Sequence, residues 1–289
     1  MNGQEYLEKI LENQKLSKEE LDELKNHRDE VEGCLREEFG NSPSIRYAGS
    51  RAKETMIKES YDLDIVCYFP EDDERSLKEI YGDVKNILSN EYIVEGKTSA
   101  LRIINLKGSN VDYHIDVVPG RYIDTDKEDA FLYISSADGE RMQTNIKVHV
   151  ETIKESGCQK LIKLTKLWIR RNNLPLKTFV AELSVIEALK SFSDKEKIEE
   201  AFTKVLVFFR DDFEDLTLLD PSNSSNVVSD LVDETQKNIV ATTAKNATDA
   251  IENEEETEAW GIIFKETTGK SNEPIATMNV TPPKPWANV

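Results

Sequence analysis

The chain has 289 residues, and its 37 Lys plus Arg against 56 Asp plus Glu leave a formal net charge of −19 at pH 7, which argues against a simple polyanion-binding protein. With 38% hydrophobic and 32% charged residues, and apolar clusters along most of its length, the chain can bury a core, and global disorder is excluded. No apolar run, residues 205–209 being among the longest, approaches the roughly 20 residues of a membrane-spanning helix.

Residues 3–39 predict a long amphipathic helix, because Leu21, Leu24, Val31 and Leu35 recur at steps of three and four with Lys and Glu between them. A break is expected near Ser17, and Gly40 suits the carboxyl end. Short strands follow: Ile45, Arg46 and Tyr47 before Gly49-Ser50, the apolar and β-branched run 63–69, residues 101–104, and residues 114–118. Residues 77–88 form an amphipathic helix among them. Strands interrupted by helices imply an α/β or α+β lobe.

From Asn145 the period changes. Val148, Ile153, Leu161, Leu164, Leu167 and Trp168, then Val180, Leu183, Ile186 and Leu189, fit helical faces and predict a helical second lobe. The expected division is 1–144 and 145–289. Asp220-Pro221-Ser222-Asn223 marks a turn, and residues 228–251 read as helix with an acidic, solvated continuation through Glu252, Glu254, Glu255, Glu256 and Glu258. Residues 267–289 hold Pro274, Pro282, Pro283 and Pro285 without a periodic apolar face, so an irregular tail is expected.

Cys34, Cys67 and Cys158 lie at long spacings and read as reduced, buried thiols. His27, His114 and His149 are isolated, so a zinc site is not expected. The first residues lack the basic start and apolar block of a secretion signal, which makes the cytoplasm the expected compartment.

The chemistry lies in Gly49-Ser50, then Asp62-Leu63-Asp64, then Asp116 between Ile115 and Val117. Residues two apart in a strand share a side, so Asp62 and Asp64 would present two carboxylates together. Side by side they repel unless a cation bridges them, and Mg²⁺ prefers such hard oxygen ligands together with substrate phosphates. Asp116 on a neighbouring strand would complete a two-metal site, with Mn²⁺ able to substitute. Gly49-Ser50 is expected to be a loop whose backbone N–H groups and hydroxyl meet terminal phosphate oxygens. Each motif alone has an ordinary structural explanation. Acids inside otherwise apolar strands are costly to desolvate, however, and that favours the joint reading.

A second cluster is Lys163 and Lys166, one helical turn apart on a common side, followed by Thr178 and Phe179. In so acidic a chain this suggests a clamp for phosphate and base. The structural alternative has solvated lysines, opposed by Glu182 and Glu187, with Phe179 in the core.

These residues, with Leu174-Pro175, Leu183, Asp220-Pro221 and Asn226 in the same order, resemble the polymerase-β-type nucleotidyltransferases over about residues 40–230. Within that superfamily the chain is similar to oligoadenylate synthetases and to the bacterial cGAS/DncV-like nucleotidyltransferases, or CD-NTases, of CBASS antiphage defence. The resemblance implies a two-lobed fold with a mixed sheet in the catalytic lobe, a helical second lobe and an amino-terminal spine helix joining them. It implies that Asp62, Asp64 and Asp116 bind Mg²⁺, that Ser50 holds the donor phosphates, and that Lys166 reaches the triphosphate. It also places Thr178 at a phosphate-contacting position and Phe179 where a tyrosine usually stacks on the donor base.

The implied activity is Mg²⁺-dependent joining of NTPs, ATP among them, into a cyclic di- or trinucleotide messenger, with accessory CBASS proteins as partners. Lacking an extended basic run outside residues 160–171, the sequence disfavours activation by double-stranded RNA. A linear oligoadenylate synthase, a CCA-adding tRNA nucleotidyltransferase and a non-catalytic nucleotide sensor or antitoxin are the alternatives.

Overall fold

The computed structural model describes residues 1–104, 113–135 and 141–265; the proline-rich stretch 267–289 lies outside them. The described chain forms two compact units. One is built mainly of Leu16–Glu155, and the other of Met1–Lys15 with Ser156–Asp220 and residues from Ser225 onward.

The break predicted in the amino-terminal helix is present. Helix α1 (Gly3–Asn13) belongs to the second unit and α2 (Lys18–Phe39) to the first. Ser17 starts α2 with a capping box: its hydroxyl accepts from the Glu20 N–H while the Glu20 carboxylate accepts from the Ser17 N–H at 2.6 Å. Gly40 closes the helix at φ +58°.

The sheet unit continues with β1 (Ser44–Tyr47), α3 (Gly49–Lys53), β2 (Leu63–Phe69), α4 (Leu77–Glu91), β3 (Val94–Gly96), β4 (Leu101–Ile103), β5 (Ile115–Tyr122), β6 (Ala130–Tyr133), β7 (Arg141–Thr144) and α5 (Ile146–Glu155). The strands run in the order β1-β2-β5-β4-β3, with β6 bridging β5 and β7. Only β2 and β5 are parallel among the described pairs, so the sheet is mixed.

Strand alternation gives the sheet two different faces. Leu63, Ile65, Cys67 and Phe69 of β2, with Ile115 and Val117 of β5, pack with Leu24, Val31 and Leu35 of α2 and Ile80, Val84 and Leu88 of α4. On the other face Val66, Tyr68 and Val118 pack with Ala130 and Leu132. Asp64 and Asp116 share the parity of that second face.

Strand β5 extends past the predicted end at Val118, through Pro119 and Gly120 to Tyr122. The His114 carbonyl accepts from the Leu63 N–H, toward β2. By the period of two, the position of the missing Pro119 N–H faces the opposite edge, where β4 pairing has ended at Val117 and β6 pairing has yet to begin at Gly120. The ladder therefore loses nothing there.

The second unit adds α6 (Gln159–Asn172), α7 (Thr178–Ala188) and α8 (Ile198–Asp211) to α1. The turn at residues 221–222 follows β8 (Leu219–Asp220) and precedes β9 (Asn223–Val227). The carboxyl-terminal helix differs from expectation. A 3₁₀ turn, Val228–Leu231, comes first, and Asp233 then caps α9 (Glu234–Asn253). A separate α10 (Glu256–Ile263) follows. Its acids Glu256 and Glu258 are exposed, as expected of the acidic continuation. Glu256 also accepts from the Gly3 N–H at 3.0 Å, and Trp260, 1% exposed, donates to Glu199 of α8 at 2.9 Å.

Candidate active site

The site in the sheet unit begins with β2 and β5. Their apolar, β-branched residues make two buried central strands, and parallel pairing sets Asp64 beside Asp116 in register. Adjacent strands lie about 4.8 Å apart, so two acids that are 3% and 1% exposed meet across the ladder. Asp62 lies just before β2 rather than within it, and its Oδ1 accepts from the His114 N–H at 3.3 Å.

Gly49-Ser50 is not the open loop the sequence suggested. The pair starts the short helix α3, where Gly49 has φ +53° and a Cβ would fall 1.8 Å from Asp64 Oδ2. The Ala48 N–H donates to the Asp64 carbonyl at 2.9 Å, and this contact brings the helix start against the acid. Glycine is required on both counts, since it alone tolerates that conformation easily and leaves room for the carboxylate. Ser50 is partly exposed, and its carbonyl accepts from the Thr55 N–H at 3.0 Å, which closes the carboxyl end of α3.

Arg102 on β4 was not singled out in the sequence. It is the register partner of Asp116 on the side away from Asp64, and its Nε and a terminal nitrogen donate to the two Asp116 oxygens at 2.9 and 3.0 Å. Those hydrogen bonds, chiefly, hold the guanidinium above its ordinary pKa, and the charges of Asp62 and Glu95 add to the effect. Lys53, 5% exposed and three residues beyond Ser50, was also missed. Neither residue lies in a recognisable local pattern.

The donor chemistry suits a hard divalent cation, and Arg102 already places positive charge against Asp116. Among the described residues, however, no three carboxylate, imidazole or thiolate groups are gathered as a ready metal-holding set.

In the helical unit, Lys163 and Lys166 are partly exposed on α6 and share one side, while Thr165 between them is buried and donates to the Leu161 carbonyl at 2.9 Å. Thr178 begins α7 and is partly exposed, whereas Phe179 is only 3% exposed. Lys177, just before α7, has its ammonium pKa lowered by burial.

Residues 1–157 match the family described as Second Messenger Oligonucleotide or Dinucleotide Synthetase domain. This is more than half of the chain, which therefore belongs to that family and is a nucleotidyltransferase. No curated protein matches it. Among solved structures, E. coli MS115-1 CdnC with ATP is 19% identical with a TM-score of 0.73, over 93% of this chain and 99% of that one. The same protein in a CdnC:HORMA-deltaN complex is 20% identical with a TM-score of 0.68, over 91% and 97%. The Elizabethkingia meningoseptica CdnE cyclic dinucleotide synthase with GTP and Apcpp is 15% identical with a TM-score of 0.60, over 82% and 99%. The Cid1 poly(U) polymerase bound to MgATP is 11% identical with a TM-score of 0.70, over 90% and 98%. The expected α+β, polymerase-β-like fold is thus the fold observed. Among the described residues, no helix is long and apolar enough to cross a membrane.

Proposed function

We propose that this member of the second-messenger synthetase family joins NTPs, ATP among them, into a cyclic di- or trinucleotide with release of pyrophosphate, and serves antiphage signalling in the cytoplasm. The observation that carries the reading is the register pairing of Asp64 with Asp116 beside the close approach of Gly49. This puts paired acids next to a helix start with no side chain in the way, an arrangement suited to a triphosphate and its cation.

Asp62, Asp64 and Asp116 would hold Mg²⁺, which when bound supplies charge neutralisation at the phosphates and lowers the pKa of the attacking sugar hydroxyl. The chain's own groups orient the reactants. Ser50 donates its hydroxyl to a terminal phosphate oxygen, and the bare Gly49 backbone permits approach. Lys163, Lys166 and Thr178 are proposed phosphate contacts and Phe179 a proposed base contact. Fixing hydroxyl and phosphorus in line removes much of the entropic barrier, so no covalent protein nucleophile is needed. Accessory proteins are proposed as partners, consistent with the HORMA complex of the CdnC relative.

The test is incubation with α-labelled NTPs, singly and mixed, with Mg²⁺ or Mn²⁺. A phosphatase-resistant product accompanied by pyrophosphate supports cyclisation, and nuclease digestion assigns 2′–5′ or 3′–5′ linkages. The Cid1 likeness favours terminal addition as the second reading. Phosphatase-sensitive oligomers or extension of an RNA end would select it over the cyclase.

A further inference from the structure

Glu95, Arg102, Asp116 and Asp64 occupy consecutive register positions across β3, β4, β5 and β2. Directly paired residues project from the same face, so the row reads acid, base, acid, acid. The Asp116 side chain is 1% exposed, and such a carboxylate is costly to bury without a partner. Arg102, with its side chain 12% exposed, meets both carboxylate oxygens through its planar fork.

We propose that Arg102 is a positioning residue that supplies the cationic charge at Asp116 before a divalent ion binds, and that yields this carboxylate to the ion. The inference rests on the reading of Asp116 as a metal ligand. A guanidinium and a divalent cation repel each other over one carboxylate, so the arginine opposes metal entry while keeping the buried acid satisfied. Glu95, exposed on β3 and paired with Lys97 at 2.7 Å, is the register partner toward which Arg102 can turn. Loss of Arg102 should therefore weaken the metal-free protein and strengthen its hold on metal, as linkage requires.

The experiment measures Mn²⁺ binding, by electron paramagnetic resonance of unbound Mn²⁺, and melting with EDTA or Mn²⁺, in the full chain and in R102Q, R102K and D64N. R102Q should bind Mn²⁺ about fivefold or more tightly than the unmodified protein, as expected for removal of one nearby positive charge. It should also melt lower in EDTA and regain most of that difference in Mn²⁺. R102K keeps the charge but loses the fork and should fall between them. If R102Q does not fold, R102K decides, and affinity at or below that of the unmodified protein overturns the proposal. Equal or weaker Mn²⁺ binding by folded R102Q, with a site in the unmodified protein that D64N abolishes, overturns the role of Arg102 alone. Absence of any D64N-sensitive Mn²⁺ site in both the unmodified protein and R102Q overturns the metal-site reading as well.

Discussion

Gly49 and Asp64 approach so closely that a Cβ on the glycine would lie 1.8 Å from the Asp64 Oδ2. Gly49→Ala must therefore displace either the start of α3 or the carboxylate, and it also strains a residue at φ +53°. A stability loss of about 1–3 kcal/mol is expected. Turnover should fall on the order of 100-fold, the effect of a displacement near 1 Å at a reacting centre. Denaturant melts and steady-state pyrophosphate release check the pair, and unchanged turnover would mean that this contact does not shape the site.

Asp116→Asn leaves Arg102 facing a neutral amide. Removing one member of a buried ion pair strands the other, so a loss of roughly 2–4 kcal/mol is predicted. The double variant with Arg102→Gln should be more stable than the two separate losses would sum to, because the stranded charge is gone. Urea denaturation of the four proteins measures the coupling, and simple additivity would argue against an energetic pair.

The acids could be read from the sequence because β2 and β5 are apolar, β-branched runs in which a carboxylate stands out, and that pattern also fixed their strands. Arg102 could not. Its role comes from the antiparallel pairing of β4 with β5, and nothing in residues 101–104 indicates which strand lies alongside. Gly49-Ser50 read as a loop because the five residues of α3 are too few to carry an apolar period. Likewise, β3, β6 and β7 went unnoticed as strands of three or four residues with little alternation. Phe179 left stacking and core readings open, since an aromatic at the start of a helix serves either.

Burial raises the Cys67 thiol to about 12 and, as the largest cause, the Tyr81 hydroxyl also to about 12, from ordinary values of 9.0 and 10.0. Both groups stay protonated in the folded chain while the unfolded chain ionises. Their contribution to stability is thus complete below pH 9 and is lost as pH rises toward 12. Melting temperature should fall across this window, and less steeply in Cys67→Ala. Thiol reagents should leave Cys67 unmodified at pH 8 until the protein unfolds. Rapid labelling of native protein would contradict the buried assignment.

Phe179→Leu retains an apolar filler at a site only 3% exposed but removes the aromatic face. If the ring stacks on a base, KM should rise by the equivalent of about 1–3 kcal/mol while melting changes little. A lowered melting temperature with unchanged KM would assign the ring to packing. Lys166→Ala, on the exposed side of α6, should raise KM without a comparable loss of stability.

The most direct measurement of the central claim is pyrophosphate release from mixed NTPs by the Asp64→Asn, Asp116→Asn double variant, beside the unmodified chain, with far-ultraviolet circular dichroism confirming equal helix content. Sustained release by the unmodified protein and none above background by the variant is the expected outcome. Comparable release by both would contradict the paired-acid site.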